Sequence, residues 1–326
     1  MVLSEAIILP RPGAAELIEE PAGEPRVGQL RLRTRCTLMS AGTESTVFAG
    51  RFEAGTHWAR YAQFPFRPGY ACVADGEQAG TRVAVRAPHA SHVLADADRC
   101  VPVPADLPDE QAVWFALAKI AFVGIRVGNV RPGSRVLIVG AGPIGQMTVR
   151  WAAAAAASDV VVVDMVAQRL GLALAGGATA TVAGALDDMG EEISGAFAGD
   201  APDIVIDATG HPAALPGALR AAADKGTVVL LGDAGFPSQQ HLTSDVIVRG
   251  VRIAGAHDAY TIGDARWDND REIVRLFFRL ATTGRFPLDG LTSHRFTPDA
   301  CQRAYELAAT ARQDAMGIVF DWLSAR

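Results

Sequence analysis

The rhythm of apolar and polar positions changes near residue 119. Up to there the apolar positions come in short runs, AIIL, LRLRT, RVAVRA and SHVLA, broken by Gly, Pro and charged clusters. That is strand-and-turn spacing, and it predicts a mostly β domain. From 119 to 256 longer segments take over. VRPGSRVLIVG predicts a buried strand, GPIGQMTVRWAAAAAA a helix, SDVVVVD a strand and AQRLGLALAGG a helix ending in glycines. The alternation continues with the strand PDIVIDATG, the helix HPAALPGALRAAADKG closed by Gly226, the strand TVVLLG, and DVIVRGVRIAG running into another strand. Near-continuous Val and Ile suits a parallel sheet whose two faces are both covered by helices. Beyond 257, DNDREIVRLFFRLATTG predicts a long amphipathic helix, followed by a strand at LTSHRF, a helix at PDACQRAYELAATAR and a last strand at MGIVFDW. The alanine run 152–157 reads as a closely packed helix face.

Composition narrows the class. A chain of 326 residues, 49% hydrophobic, can bury cores for roughly two domains. Its most apolar stretch, AAAAAASDVVVVD, is broken by Asp159 and Asp164 short of the ~20 apolar residues a membrane helix needs. The start, MVLSEAIILPRPG, has neither the basic opening nor the apolar run of a signal peptide, so a cytoplasmic location off the membrane is expected. A net charge of −6 without a clustered basic face turns expectation from nucleic acid toward a small-molecule partner. Cys36, Cys72, Cys100 and Cys301 are scattered with no CxxC pair, which predicts core thiols rather than disulfides or a zinc knot.

One motif carries chemistry by its context. Gly140-Ala141-Gly142-Pro143-Ile144-Gly145 follows the strand VLIV and opens a helix, where glycines let a backbone approach a pyrophosphate at the helix N-terminus. Asp164 ends the next strand, where a carboxylate would accept hydrogen bonds from the adenosine ribose hydroxyls and repel a ribose phosphate. NAD is therefore expected over NADP, with Arg169 a competing phosphate contact. Pro143 costs nothing at a helix start. Thr209, Gly232 and Asp233 end two later strands at the sheet edge where such folds bind ligands, and each is also a common strand-end residue.

With these segments in view, the whole chain resembles the medium-chain dehydrogenase/reductase superfamily. In that superfamily a GroES-like β domain is completed by the last segment, after a Rossmann domain. The resemblance implies an α/β protein with a GroES-like domain at 1–118 completed by 257–326, and a doubly wound parallel-sheet Rossmann domain at 119–256. The family's Cys-Gly-Thr-Asp-x-His-x-x-x-Gly motif is similar to Ala41-Gly42-Thr43-Glu44-Ser45-Thr46-Val47-Phe48-Ala49-Gly50, and its Gly-His-Glu motif resembles Gly69-Tyr70-Ala71. Where the family carries zinc ligands, this chain has Ala41, Tyr70, Ala71 and, in WFALAKIAFVGIR, Ala116 or its neighbour. None is a good zinc ligand, and the cysteine-rich loop of a structural zinc is missing, so no metal is expected. Among zinc-lacking branches, SAGTES, RPGY, PLDGLTSHRF and GIVFDW resemble the bacteriochlorophyllide hydroxyethyl dehydrogenase type. That type's reaction class is oxidation of a secondary alcohol with NAD.

Without zinc, some other group must handle the hydroxyl proton. Tyr70 stands at a former ligand position, which by the resemblance points its phenol toward the nicotinamide cleft; a phenol serves if its pKa of ~10 is lowered. Lys119, three residues after Ala116 on an apolar helix, is the candidate perturber, or else the partner of Glu44. Thr43 matches the position whose hydroxyl binds the substrate oxygen, with Glu44 behind it. His57, Trp58 and Tyr61 crowd a loop that in the family faces substrate, or they form a hydrophobic loop packed on its own domain. His92 and His257 rank below Tyr70. The expected activity is a zinc-independent, NAD-dependent interconversion of a secondary alcohol and its ketone, on a polyol, cyclitol, sugar or hydroxyalkyl ring. The alternatives are a zinc-free quinone or enoyl reductase and a catalytically inactive dinucleotide-binding sensor. A homodimer through the strand near VRIAG follows the family's habit.

Overall fold

The computed structural model describes residues 2–76, 80–259 and 263–324. The chain forms two compact units, one of Met1–Leu117, Asp270–Thr283 and Asp289–Arg326, the other of Ala118–Asn269 and Gly284–Leu288. The return to the first unit thus comes at Asp270 rather than at 257, and 284–288 goes back briefly to the second.

The first unit opens with β1 (Leu3–Arg11), β2 (Ala14–Pro21), β3 (Gln29–Met39), the helices α1 (Ala41–Ala49) and α2 (His57–Tyr61), then β4 (Cys72–Asp75), β5 (Arg82–Val85), β6 (His92–Asp96), β7 (Val101–Pro102) and α3 (Asp109–Ala112). The second holds most of α4 (Phe115–Val127), then β8 (Arg135–Val139), α5 (Pro143–Ala154), β9 (Asp159–Asp164), α6 (Ala167–Ala175), β10 (Ala180–Ala183), α7 (Gly190–Ala196), β11 (Ile204–Asp207), α8 (Ala214–Ala221), β12 (Thr227–Leu230), α9 (Asp245–Val248) and β13 (Arg252–Gly255). Back in the first unit come α10 (Asp270–Thr282), β14 (Thr292–Phe296), α11 (Cys301–Thr310) and β15 (Gly317–Asp321).

In the first unit β3 is the hub. It pairs antiparallel with β15 and β4 within the path β14-β15-β3-β4-β5-β7, and with β6 off that path. Leu32, Thr34, Cys36 and Leu38 are buried on alternating positions and Arg33 is exposed, the period of a half-buried strand. Toward Met39 the alternation stops because α1 and α11 cover the other face, packing Met39, Phe48, Tyr305, Ile318 and Phe320 into one core. The C-terminal strand is therefore structural to this unit, adding β15 directly beside β3.

The second unit is a six-stranded parallel sheet in the order β10-β9-β8-β11-β12-β13. Its central strands are buried throughout, Val160–Val163 and Val136–Val139 among them, as the Val-rich runs predict. Three local expectations are corrected. DVIV forms the short helix α9, because Arg249 bonds back one turn to Asp245 at 3.1 Å while its guanidinium also serves the Arg220 carbonyl. The helix after His211 stops at Ala221, where Ala222 turns extended, well before Gly226. The alanine run is a helix face only in its first half: Ala152–Ala154 close α5, and beyond it Ala156 takes a left-handed φ of 60°. Among the described residues no helix is long and apolar enough to cross a membrane. All four cysteines are free and buried, and burial pushes the Cys301 thiol up to about 11, as befits inert core thiols.

Candidate functional site

In the second unit the glycine turn is built by close backbone approach. A Cβ on Gly145 would lie 1.9 Å from the Gly140 carbonyl oxygen, so only glycine lets α5 start this near the end of β8. Gly140 itself has φ 90° and its amide donates to Val163 on the next strand. Gly142 caps α5, with Pro143 in the first helical turn and Ile144 behind it. A Cβ built on Gly142 meets only the Arg169 guanidinium, at 3.9 Å, leaving the approach to the helix N-terminus clear. Asp164 ends β9 half-buried. One of its oxygens accepts from the Ala141 amide at 2.7 Å and the other from Val166 at 2.8 Å, so the turn itself fixes the carboxylate. Glycines, helix end, acid and guanidinium together fit a dinucleotide.

The neighbouring strand ends are held more tightly than sequence alone indicates. Thr209 donates its hydroxyl (2.6 Å) and its amide (2.9 Å) to Asp207, a buried acid whose pKa burial raises. Gly232 packs so close to Gly210 that a Cβ would come within 2.3 Å of its nitrogen, and Asp233 beside it is exposed. His257 is likewise exposed, its ring nitrogen accepting from the Ala259 amide at 3.1 Å. Lys119 is buried on α4. Its amine donates to the Asp258 carbonyl and lies 3.7 Å from the Asp258 carboxylate, so the partner is Asp258 and not Glu44.

In the first unit Tyr70 donates its phenol proton to the Ser40 hydroxyl, with Arg86 over the ring at 5.0 Å. Burial pushes the phenol well above its ordinary range. The Ser40 hydrogen bond pulls the other way, Glu44 adds to the rise, and Arg86 and the Thr43 hydroxyl oppose it. This corrects the expectation of a lowered phenol: the cation at Tyr70 is Arg86, and desolvation outweighs it. Behind the pair lies a buried network. Glu44, 1% exposed, accepts from the Ser40 amide (2.8 Å), Tyr305 (2.6 Å) and His89 (3.0 Å). His89, fully buried, also meets Thr37 at 2.7 Å, and Thr37 receives the Trp322 indole N–H at 3.1 Å.

The other candidates divide. On the single turn α2, Trp58 is 4% exposed and belongs to the core with Met39 and Phe48, the packing alternative rather than the substrate one. His57 and Tyr61 on the same turn are exposed. His92 lies on β6 opposite Arg33, bonded to Ser91 at 3.3 Å. Ser40, His89 and Tyr305 were missed by sequence reasoning. No local sequence pattern marks them; in the structure Gly69, at φ 96°, lets the chain pass so close to His89 that a Cβ would meet its backbone nitrogen at 2.7 Å. Ala41, Ala71 and Ala116 are buried, and among the described residues no three His, Cys, Asp or Glu side chains gather as a metal site. The donor set does not fit zinc.

Residues 143–268 match the family model described as zinc-binding dehydrogenase. The chain is 30% identical over 175 residues to the L-threonine 3-dehydrogenase of Bacillus licheniformis, covering 54% of this chain and 48% of that protein. It is 37% identical over 119 residues to the D-guloside 3-dehydrogenase of Escherichia coli, covering 36% of this chain and 34% of that protein. The matched stretch thus spans about half or less of these relatives. Its fold is similar to that of an Escherichia coli protein described as a short chain alcohol dehydrogenase complexed with the cofactor NADH, at TM-score 0.80 and 19% identity, covering 98% of this chain and 99% of that one. The chain is thus similar to zinc-binding dehydrogenases over residues 143–268, and its fold is similar to that of a solved alcohol dehydrogenase.

Proposed function

We propose that the protein is an NAD-dependent oxidoreductase that interconverts a secondary alcohol and its ketone without zinc, as a member of a zinc-lacking branch of the superfamily. The observation that carries this reading is the Asp164 carboxylate, fixed by the Ala141 amide at the mouth of the glycine turn. There it accepts ribose hydroxyls and repels a ribose phosphate. Gly140, Gly142 and Gly145 let the pyrophosphate reach the N-terminus of α5, and Arg169 lies beside that turn to complement its charge. When bound, the dinucleotide supplies the hydride acceptor or donor.

The proton falls to side chains of the first unit. Tyr70, its pKa raised by burial, holds its proton through the alkaline range; it is a weak acid that donates a hydrogen bond to a carbonyl oxygen and gives up the proton only as negative charge develops there in the reductive direction. Thr43 orients the oxygen. The substrate class is a polyol, sugar, cyclitol or other hydroxyalkyl ring, in keeping with the threonine and guloside dehydrogenases this chain resembles and with the exposed rings of His57 and Tyr61. The reaction class is taken from the bacteriochlorophyllide hydroxyethyl dehydrogenase type that the sequence resembles, and nothing else is taken from it. Assembly as a homodimer is proposed through the edge strand β13, next to the exposed Ile247 and Val248.

Fluorescence titration with NADH and NADPH, then turnover on alcohol, ketone and enone panels before and after dialysis against a chelator, tests the reading. It expects tighter NADH binding, ketone reduction and no loss on chelation. Preference for NADPH with enone turnover, or activity that returns only with added zinc, overturns it.

A further inference from the structure

The buried network of the first unit has a direction. A tryptophan indole only donates, so Thr37 accepts from Trp322, and among the described residues its hydroxyl meets no side chain besides Trp322 and His89. The Thr37 hydroxyl proton therefore goes to His89 Nδ1. That leaves His89 as the Nε2–H tautomer, donating to Glu44. Tyr305 donates to the same Glu44 oxygen, and the other oxygen receives the Ser40 amide. These donors all point into Glu44, and the carboxylate so fixed holds the Ser40 backbone by its amide. Ser40 occupies the cap position of α1, yet its hydroxyl does not cap the helix; it faces Tyr70. The ring stack of Phe48 on Tyr305 at 5.4 Å and the edge contact of His89 with Phe320 at 5.0 Å lock the rings that supply the donors.

We propose that Thr37, His89, Tyr305 and Glu44 form a one-way hydrogen-bond chain that holds Ser40 against the Tyr70 phenol, making Ser40 the second hydroxyl of the proton-handling pair and His89 and Glu44 its positioning residues. This rests on the reading of Tyr70 as the proton-handling group. In ketone reduction the carbonyl carbon takes hydride from the bound dinucleotide; the phenol O–H, turned from Ser40 to the substrate oxygen, breaks as its proton passes there, and the Ser40 O–H proton refills the phenolate while Ser40 takes a proton from water, leaving hydroxide in the solvent. Charge is conserved at each transfer, and no redox partner beyond the dinucleotide is needed. The charged and titratable groups that face Tyr70 are Glu44 and Arg86, and those that face Glu44 are His89 and Tyr305.

Two measurements test this. In the first, Ser40→Ala and Tyr305→Phe, each the loss of one oxygen, are compared with Tyr70→Phe for kcat, KM and NADH affinity. Ser40→Ala is expected to lower kcat about tenfold or more with KM and NADH affinity within about twofold, and Tyr305→Phe to lower it less. The double variant Ser40→Ala/Tyr70→Phe should fall no further than Tyr70→Phe alone. An unchanged kcat in Ser40→Ala, or multiplicative losses in the double variant, overturns the pairing. The second needs no turnover, so it still speaks if the dehydrogenase reading fails. Imidazole nitrogen NMR, with the His89 signal identified by its loss in His89→Gln, should show the Nε2–H tautomer, converting to Nδ1–H or a mixture in Thr37→Val. An Nδ1–H tautomer in the unmodified protein overturns the direction of the chain.

Discussion

Two carboxylates anchor the two units, and they are used in opposite ways. Asp164 is half-buried and carries one backbone amide on each oxygen. A carboxylate has about four acceptor sites, so Asp164 keeps capacity for an incoming ligand. Glu44 is 1% exposed and meets three donors of its own unit, one backbone amide and two side chains. What remains of its capacity is sealed from water. The contrast teaches that position in a motif does not assign a role: an acid sealed among its own unit's donors places other groups, and an acid held but open to solvent recognises a ligand. Removing each acid should therefore fail in a different observable.

The largest expected effect follows Glu44→Ala. It orphans the Ser40 amide, the Tyr305 hydroxyl and the His89 Nε2–H at once, and buried donors left unmade cost about 1–3 kcal/mol each, so a loss of roughly 3–9 kcal/mol is expected. Urea unfolding measures it, and a loss under about 1 kcal/mol would mean that the network is not closed. Gly145→Ala comes next. Its methyl would stand 1.9 Å from the Gly140 oxygen, so the start of α5 must move, and NADH affinity should drop about a hundredfold while the first unit keeps its stability. Asp164→Ala is smaller. Losing the ribose contacts should weaken NADH about tenfold and leave NADPH unchanged or improved. Equal weakening of both dinucleotides would assign Asp164 to the turn rather than to the ribose.

The same contrast explains what could be read beforehand. The glycine turn and Asp164 are parts of one strand–helix–strand unit, so spacing along the chain is spacing in the fold, and period and motif revealed them together. The Glu44 network draws Thr37 and Ser40 from either end of a strand–helix junction, His89 from the segment after β5, Tyr305 from α11 and Trp322 from the end of the last strand. No local pattern links positions 44 and 305, which meet only because β15 pairs with β3 and α11 packs on α1. Lys119 shows the converse error. Its cost on an apolar helix was correctly noticed, but its partner, Asp258, comes from a turn whose position depends on the whole sheet. Of the two histidines in PHASH, sequence offered no means to prefer the buried His89 over His92.

That last ambiguity yields the smallest effect and the sharpest control on where the network ends. Burial, together with Arg33 and Arg31, lowers the His92 pKa from the ordinary ~6.5. Since the folded value is the lower one, the unfolded chain takes up the proton first. Stability from this site is complete above ~6.5 and slips as pH falls through that value toward the folded pKa. In His92→Gln that slope should vanish, with a stability difference well under 1 kcal/mol, because the ring is partly exposed and screened. Turnover should change less than about twofold, since the ring's hydrogen bond goes to Ser91 and not to the Glu44 network. Acid-limb urea midpoints and kcat on the same preparation decide it. A tenfold loss of kcat in His92→Gln would extend the network past its three internal donors, and the line between the sealed acid and its surroundings would have to be redrawn.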